Sequence, residues 1–157
     1  SEVTVYDAKI KDMITYANST YSNDTDDSSN MQGLNLDLNF KINNNIYIEN
    51  SYAHVHAVNS SGTWLKRRPH EILNSLITYR SNDWTIGTNI NFYGKHSDTH
   101  SSNYSTILIK ERTLFDLIYT YENLTFELNN VFDDSFERPH GYNQGGRNAK
   151  LRYWFYF

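Results

Sequence analysis

Apolar and polar residues alternate along most of this chain. Successive side chains of a strand point to opposite faces, so this pattern predicts strands with one apolar and one polar face. The cleanest run places Leu34, Leu36, Leu38, Phe40 and Ile42 on one parity and Asn35, Asp37, Asn39 and Lys41 on the other. A second sets Trp84, Ile86, Thr88, Ile90 and Phe92 against Thr85, Gly87, Asn89 and Asn91. No segment keeps a convincing helical period. The pattern predicts eight strands, over residues 3–16, 34–42, 46–58, 71–79, 84–92, 107–121, 124–129 and 149–157. Between them lie polar connections rich in Asn, Asp, Ser and Gly, which favour turns and loops. Residues 17–30, 59–69, 94–105 and 133–146 form long connections, and 43–45, 81–83 and 122–123 form short ones. The expected fold class is all-β, an antiparallel up-and-down sheet within a single domain, residues 1–157.

Long and short connections alternate strictly, as in outer-membrane barrels with short periplasmic turns and long external loops. Composition points the same way. Hydrophobic residues make up 38% and mean hydropathy is -0.69, yet aromatics reach 15%. Polar lumen rows and polar loops lower the mean, while lipid-facing rows keep the aromatics. A soluble sandwich also alternates, but it would bury these apolar rows against one another, whereas here every well-formed strand has one apolar and one polar face. No run approaches the roughly 18 apolar residues of a membrane helix. A net charge of -4 argues against broad nucleic-acid binding. With no cysteine, disulfide and thiolate chemistry are excluded. Nothing at the first residues resembles a signal peptide. Tyr79, Trp84, Tyr121 and Phe157 are expected near the short-turn end, as an aromatic girdle.

The final segment carries Leu151, Tyr153, Phe155 and Phe157 on one parity. It resembles the assembly signal that closes bacterial outer-membrane barrels, an alternating apolar strand ending in Phe. Four further segments resemble the TonB-dependent outer-membrane receptors. Asn130-Val131-Phe132-Asp133-Asp134-Ser135-Phe136-Glu137 is similar to that family's Asn-Leu-Phe-Asp-x-x-Tyr-Glu segment. Gly141-Tyr142, Gly146-Arg147 and the terminal aromatic strand follow in the family's order. Thr113-Leu114-Phe115-Asp116-Leu117, Lys66-Arg67-Arg68-Pro69-His70 and Asp12-Met13-Ile14-Thr15-Tyr16 resemble further family segments. Val131 and Phe136 replace the more usual Leu and Tyr. The spacing from Asp133 to Tyr142 is nearest to the cobalamin receptors.

The resemblance implies a bacterial outer-membrane location and a part in taking up a scarce nutrient, cobalamin or a ferric chelate. Such receptors have barrels of roughly 22 strands with a plugged lumen. This chain would supply the C-terminal strands, and no plug domain is recognised in it. The implied partners are outer-membrane lipid, the barrel assembly machinery, the plug domain and the remaining strands; no nucleic acid and no cofactor are implied. The alternative is a stand-alone eight-stranded barrel with a structural or surface-contact role. Closure would then require residues 3–16 to pair with residues 151–157, since open edges are not tolerated in lipid.

Candidate chemistry is sparse. Asp37, Glu49, Asp116 and Glu127 share the polar parity with Lys41, Lys150 and Arg152, which predicts pairing in a filled lumen rather than a catalytic dyad. His54 and His56 share a face, and His96 and His100 share a loop, but neither pair has the third ligand zinc needs. The acidic run Asn23-Asp24-Thr25-Asp26-Asp27 lacks the Gly and Glu of a calcium loop. No Gly-x-Ser-x-Gly elbow is present, so an enzyme is not expected. Trp64, His96, His100, Tyr104 and Tyr142 are the expected ligand contacts, because aromatic groups in external loops offer area at low entropic cost.

Overall fold

A computed structural model describes the backbone of residues 1–17 and 20–155, and the side chains outside residues 13–27. Ten strands are present among these residues: β1 (Glu2–Ala17), β2 (Thr20–Lys41), β3 (Ile46–Val58), β4 (Glu71–Arg80), β5 (Trp84–Tyr93), β6 (His96–Thr99), β7 (Thr106–Ile109), β8 (Arg112–Tyr121), β9 (Leu124–Asn129) and β10 (Asn148–Tyr153). Eight form one antiparallel sheet in the order β1-β2-β3-β4-β5-β8-β9-β10. Strands β6 and β7 pair separately as a small hairpin carried between β5 and β8.

The register sorts the two faces as the alternation predicts. Cross-strand neighbours share a face. One row runs Phe40, Ile48, Ile77, Thr88, Leu117, Leu128 and Ala149; the next runs Ile46, Tyr79, Ile86, Tyr119, Phe126 and Leu151. The opposite face carries Asn39, Glu49, Leu76, Asn89 and Asp116 in one row. That polar face is hollow: a cavity of about 370 Å³ is lined by Asp37, Asn39, Glu49, Asn74 and Asn89 among others. The apolar face is bare. Ala57 is the only buried hydrophobic residue among those described, while Ile77, Ile86, Tyr119, Phe126 and Leu151 lie exposed. A water-soluble sandwich would cover such rows with a second layer. Here they can be covered only by lipid or another chain.

Polar-face charges pair where they can. Arg152 makes an ion pair with Glu127. Asp116 accepts from the Asn130 backbone N–H at 2.8 Å. Lys41 and Arg80 sit over the Tyr47 ring. Among the described residues Asp37 and Glu49 carry no ion pair. At the short-turn end, Trp84 lies 5.3 Å from Tyr79 and 6.2 Å from Tyr119, the start of an aromatic girdle. Phe157, expected in the same belt, lies outside the described residues.

Four expectations are corrected. Residues 20–30 are not a loop but the first half of β2, paired with β1 down to Ala17↔Thr20. Their Asn, Asp and Ser content favours turns locally, but the ladder of the neighbouring strand prevails. The segment 94–105 is likewise not all loop, because it contains β6, which pairs with β7 just after it. The strand predicted over 107–121 is two strands, interrupted between Ile109 and Arg112. Finally, the sheet is open. β1 and β10 are its two edges rather than partners, so the closure that a stand-alone barrel requires is not observed.

Candidate functional site

The short connections leave one end of the sheet and the long ones the other. The long-loop end is knotted around one carboxylate. Asp98, in β6, is 1% exposed. Its Oδ1 accepts from Arg67 Nε and from the Thr99 backbone N–H, each at 2.7 Å, and its Oδ2 accepts from the His140 backbone N–H at 2.9 Å. Three connections, residues 59–70, 94–111 and 130–147, thereby meet at one side chain. Burial alone would raise the Asp98 pKa; the His140 N–H, the Arg67 guanidinium and the Thr99 N–H outweigh it and hold the carboxyl below its ordinary value. Arg67 N–H also donates to the Ser97 carbonyl at 2.7 Å, and Lys66 Nζ to Thr99 Oγ1 at 3.0 Å.

A second layer surrounds this knot. The His100 and His140 rings lie 4.6 Å apart, and His140 Nδ1 accepts from the Ser101 N–H at 3.2 Å. Gly141, at φ +84, lies so close that a Cβ there would stand 2.7 Å from the Ser101 side chain. The turn therefore needs glycine both for its backbone and for its contact. Glu137 accepts from the Gly141 N–H at 2.7 Å and lies 3.5 Å from His140 Nε2.

Beside the knot lies a cationic, aromatic corner. Arg112 sits 5.0 Å from the Tyr93 ring and 4.6 Å from Phe136, and Arg138 sits 5.1 Å from the same Tyr93. Arg112 Nε and Nη2 are buried and have no hydrogen-bond partner among the described residues. His96 is 6% exposed. Its pKa is lowered, first by burial and also by Arg112 and Arg138, against the Gly94 carbonyl and Asp98, so it stays neutral at neutral pH. A cavity of about 310 Å³ is lined by Arg67, Pro69, His96, Asp98, Arg138 and Pro139.

The five expected ligand contacts scatter through this end. Trp64 stacks on His70 at 3.7 Å and meets His56 edge-on at 4.5 Å. His70 is held low, chiefly by burial and by the neighbouring His54. His96 lines the cavity, and His100 lies against His140. Tyr104 and Tyr142 stand free, 77% and 66% exposed. His54 faces Glu71 at 3.9 Å, and no three metal-ligating side chains gather among the described residues. The acidic run of residues 23–27 lies outside the described side chains. Asp98, Arg112, Arg138, Tyr93 and His140 were not singled out from the sequence. Arg67, Phe136, Glu137 and Gly141 fall within recognised segments. The local signal for the rest is weak, since each depends on partners tens of residues away.

Comparison with known proteins places this architecture. Residues 1–131 match the family described as TonB dependent receptor-like, beta-barrel. The chain belongs to that family. It is a β-barrel portion of a TonB-dependent receptor, and its location is the bacterial outer membrane. A bare apolar face opposite a hollow polar one is what the wall of such a barrel has. A chain of the FpvAI–pyocin S2 complex superposes with a TM-score of 0.78 at 16% identity, over 95% of this chain and 24% of that one. The ferripyoverdine receptor of Pseudomonas aeruginosa, solved with ferripyoverdine bound, gives 0.75 at 14% identity over 95% and 24%. The siderophore receptor PirA of Acinetobacter baumannii gives 0.73 at 18% over 98% and 29%. The chain thus spans about a quarter of the length of these receptors. No curated protein sequence matches it significantly.

Proposed function

We propose that this chain is the C-terminal wall and loop system of a receptor that takes up a ferric chelate, working with a plug domain and further strands. The observation that carries this reading is the family match over residues 1–131 on a wall whose lumen face is hollow and polar. The receptors named above are described as ferripyoverdine and siderophore receptors, which favours an iron chelate over cobalamin as the cargo. The unpaired carboxylates Asp37 and Glu49 then face the plug. Energy for transport comes from outside this chain. Trp64, His96, His100, Tyr104 and Tyr142 contribute to holding the cargo from the external loops, and Leu151, Tyr153, Phe155 and Phe157 direct assembly. A self-closed small barrel finds no support in a sheet whose β1 and β10 do not meet.

The test is uptake of radioactive iron by cells that express the full-length receptor containing this chain, supplied with a panel of ferric chelates and with labelled cobalamin. Energy-dependent accumulation of iron from at least one chelate is expected. Accumulation of cobalamin alone would overturn the cargo, and accumulation of neither would overturn the receptor reading. Deleting Phe157 should reduce the amount of receptor assembled in outer membranes; undiminished assembly would remove its role as a signal.

A further inference from the structure

Arg112 and Arg138 converge on the Tyr93 ring. Arg138 also lines a cavity with Arg67 and His96, in which the one acid is Asp98. Both oxygens of Asp98 are already occupied, by Arg67, Thr99 and His140. Glu137 is turned toward Gly141 and His140. Arg112 lines a cavity of about 380 Å³ with Glu111 and Glu137, but among the described residues neither acid makes an ion pair with Arg112 or Arg138. Arg112 and Arg138 approach the same ring and lie within electrostatic reach of each other. The unpartnered Nε and Nη2 of Arg112 form one edge of its planar fork, the geometry that grips two oxygens at once. Two like charges held together with no counter-charge are costly, as is a buried donor left unmade. An arrangement of this kind is completed by an anion.

We propose that Arg112 and Arg138, over Tyr93 and Phe136, form a recognition site for an oxyanion group, a carboxylate or phosphate, carried by the transported ligand. The proposal rests on the receptor reading and names its substrate class: the chelate is an anionic one, read by its charge on the lumen side of the external loops. Arg112 supplies the fork and Arg138 the second charge, while Arg67 stays committed to Asp98. His96, neutral and beside both, provides a polar wall without adding a third positive charge. The aromatic rings beneath hold the guanidinium planes, so little rotamer freedom is lost on binding.

The experiment is calorimetric titration of the purified full-length receptor with iron-free citrate and with pyrophosphate, alongside a neutral sugar as control. Saturable binding of the oxyanions and none of the sugar is expected. Arg112→Gln and Arg138→Gln should each weaken oxyanion binding by about tenfold to a hundredfold, the loss of one charged hydrogen-bonding group. The double variant should be little worse than either single one, because half a clamp holds poorly. Arg112→Lys keeps the charge without the fork and should fall between, which guards against a folding defect. Arg80→Gln, at the opposite end of the barrel, should bind as the parent does. Absence of saturable binding in the parent, or binding as tight as the parent's in both Arg→Gln variants, would overturn the site. Iron uptake measured in parallel separates the two ideas. Uptake with no dependence on Arg112 or Arg138 would leave the receptor reading standing and remove the site. Arginine-dependent citrate binding without uptake of any chelate would do the reverse.

Discussion

Asp98 joins chain segments that the sequence keeps far apart, since its partners Arg67 and His140 lie 31 and 42 residues away. Its carboxyl titrates below its ordinary value, so its stabilisation is complete above about pH 4 and is lost as pH falls through the folded-state value. Asp98→Asn turns an amide N–H toward the His140 N–H and discharges the Arg67 contact. It should loosen the three loops by about 1.5–3 kcal/mol, seen as faster hydrogen exchange of loop amides while the wall strands keep their protection. The parent should show the same loosening on acidification, and the variant should be flat over that range; matching profiles would exclude Asp98 as the titrating group. A second residue-scale case is Gly33. A Cβ there would stand 2.3 Å from the Tyr6 ring, so the ring caps the bare backbone between β1 and β2. Gly33→Val should displace Tyr6 and lower the melting temperature of the folded receptor, whereas Gly145→Ala, which meets nothing, should not.

At the scale of strands, period-two alternation placed all eight wall strands and both faces, because each strand separates lipid from lumen along its length. The pattern fails where that separation ends. Residues 20–30 carry no apolar side chain but Tyr21, so no parity shows there and turn-forming composition dominates, although the backbone is paired with β1. The β6–β7 hairpin escaped for the same reason, and the side-chain knot it carries has no local periodic signature. The faces themselves are testable. Leu38 lies in the central lipid row with Asn50, Ser75, Ile90 and Phe115. Leu38→Arg should cost about 2–4 kcal/mol of barrel stability near mid-bilayer, measured by denaturant unfolding in lipid vesicles. Asn39→Ser, on the lumen face, should be nearly neutral. Comparable costs for both would mean the faces are inverted.

The whole sheet has two unpaired edges, which a bilayer does not tolerate because each open backbone group there costs several kcal/mol. Expressed by itself, this chain should therefore not give a monomeric, heat-modifiable barrel on gel electrophoresis. The full-length receptor should. The isolated chain should also bind ferric chelates poorly, since a site assembled from loops and plug loses most of its affinity when half its contacts are missing; tight calorimetric binding would refute this.

The wall strands β4, β5 and β8 are each 10 residues long, but β2 has 22. Residues 20–24, 28 and 29 pair with β1 alone, beyond the last rung shared with β3 at Asn30↔Val58. At about 3.3 Å per residue along β1 from Lys9 to Ala17, this two-stranded arm reaches roughly 25 Å past its neighbour. At its root the pairing slips between Lys11 and Met13, where Asp12 adopts φ 56, and such bulges bend and twist a strand. A visitor from the surrounding medium, whether antibody, phage fibre or toxin, thus meets a mast before it meets the deck, and one residue at the foot sets the way that mast leans.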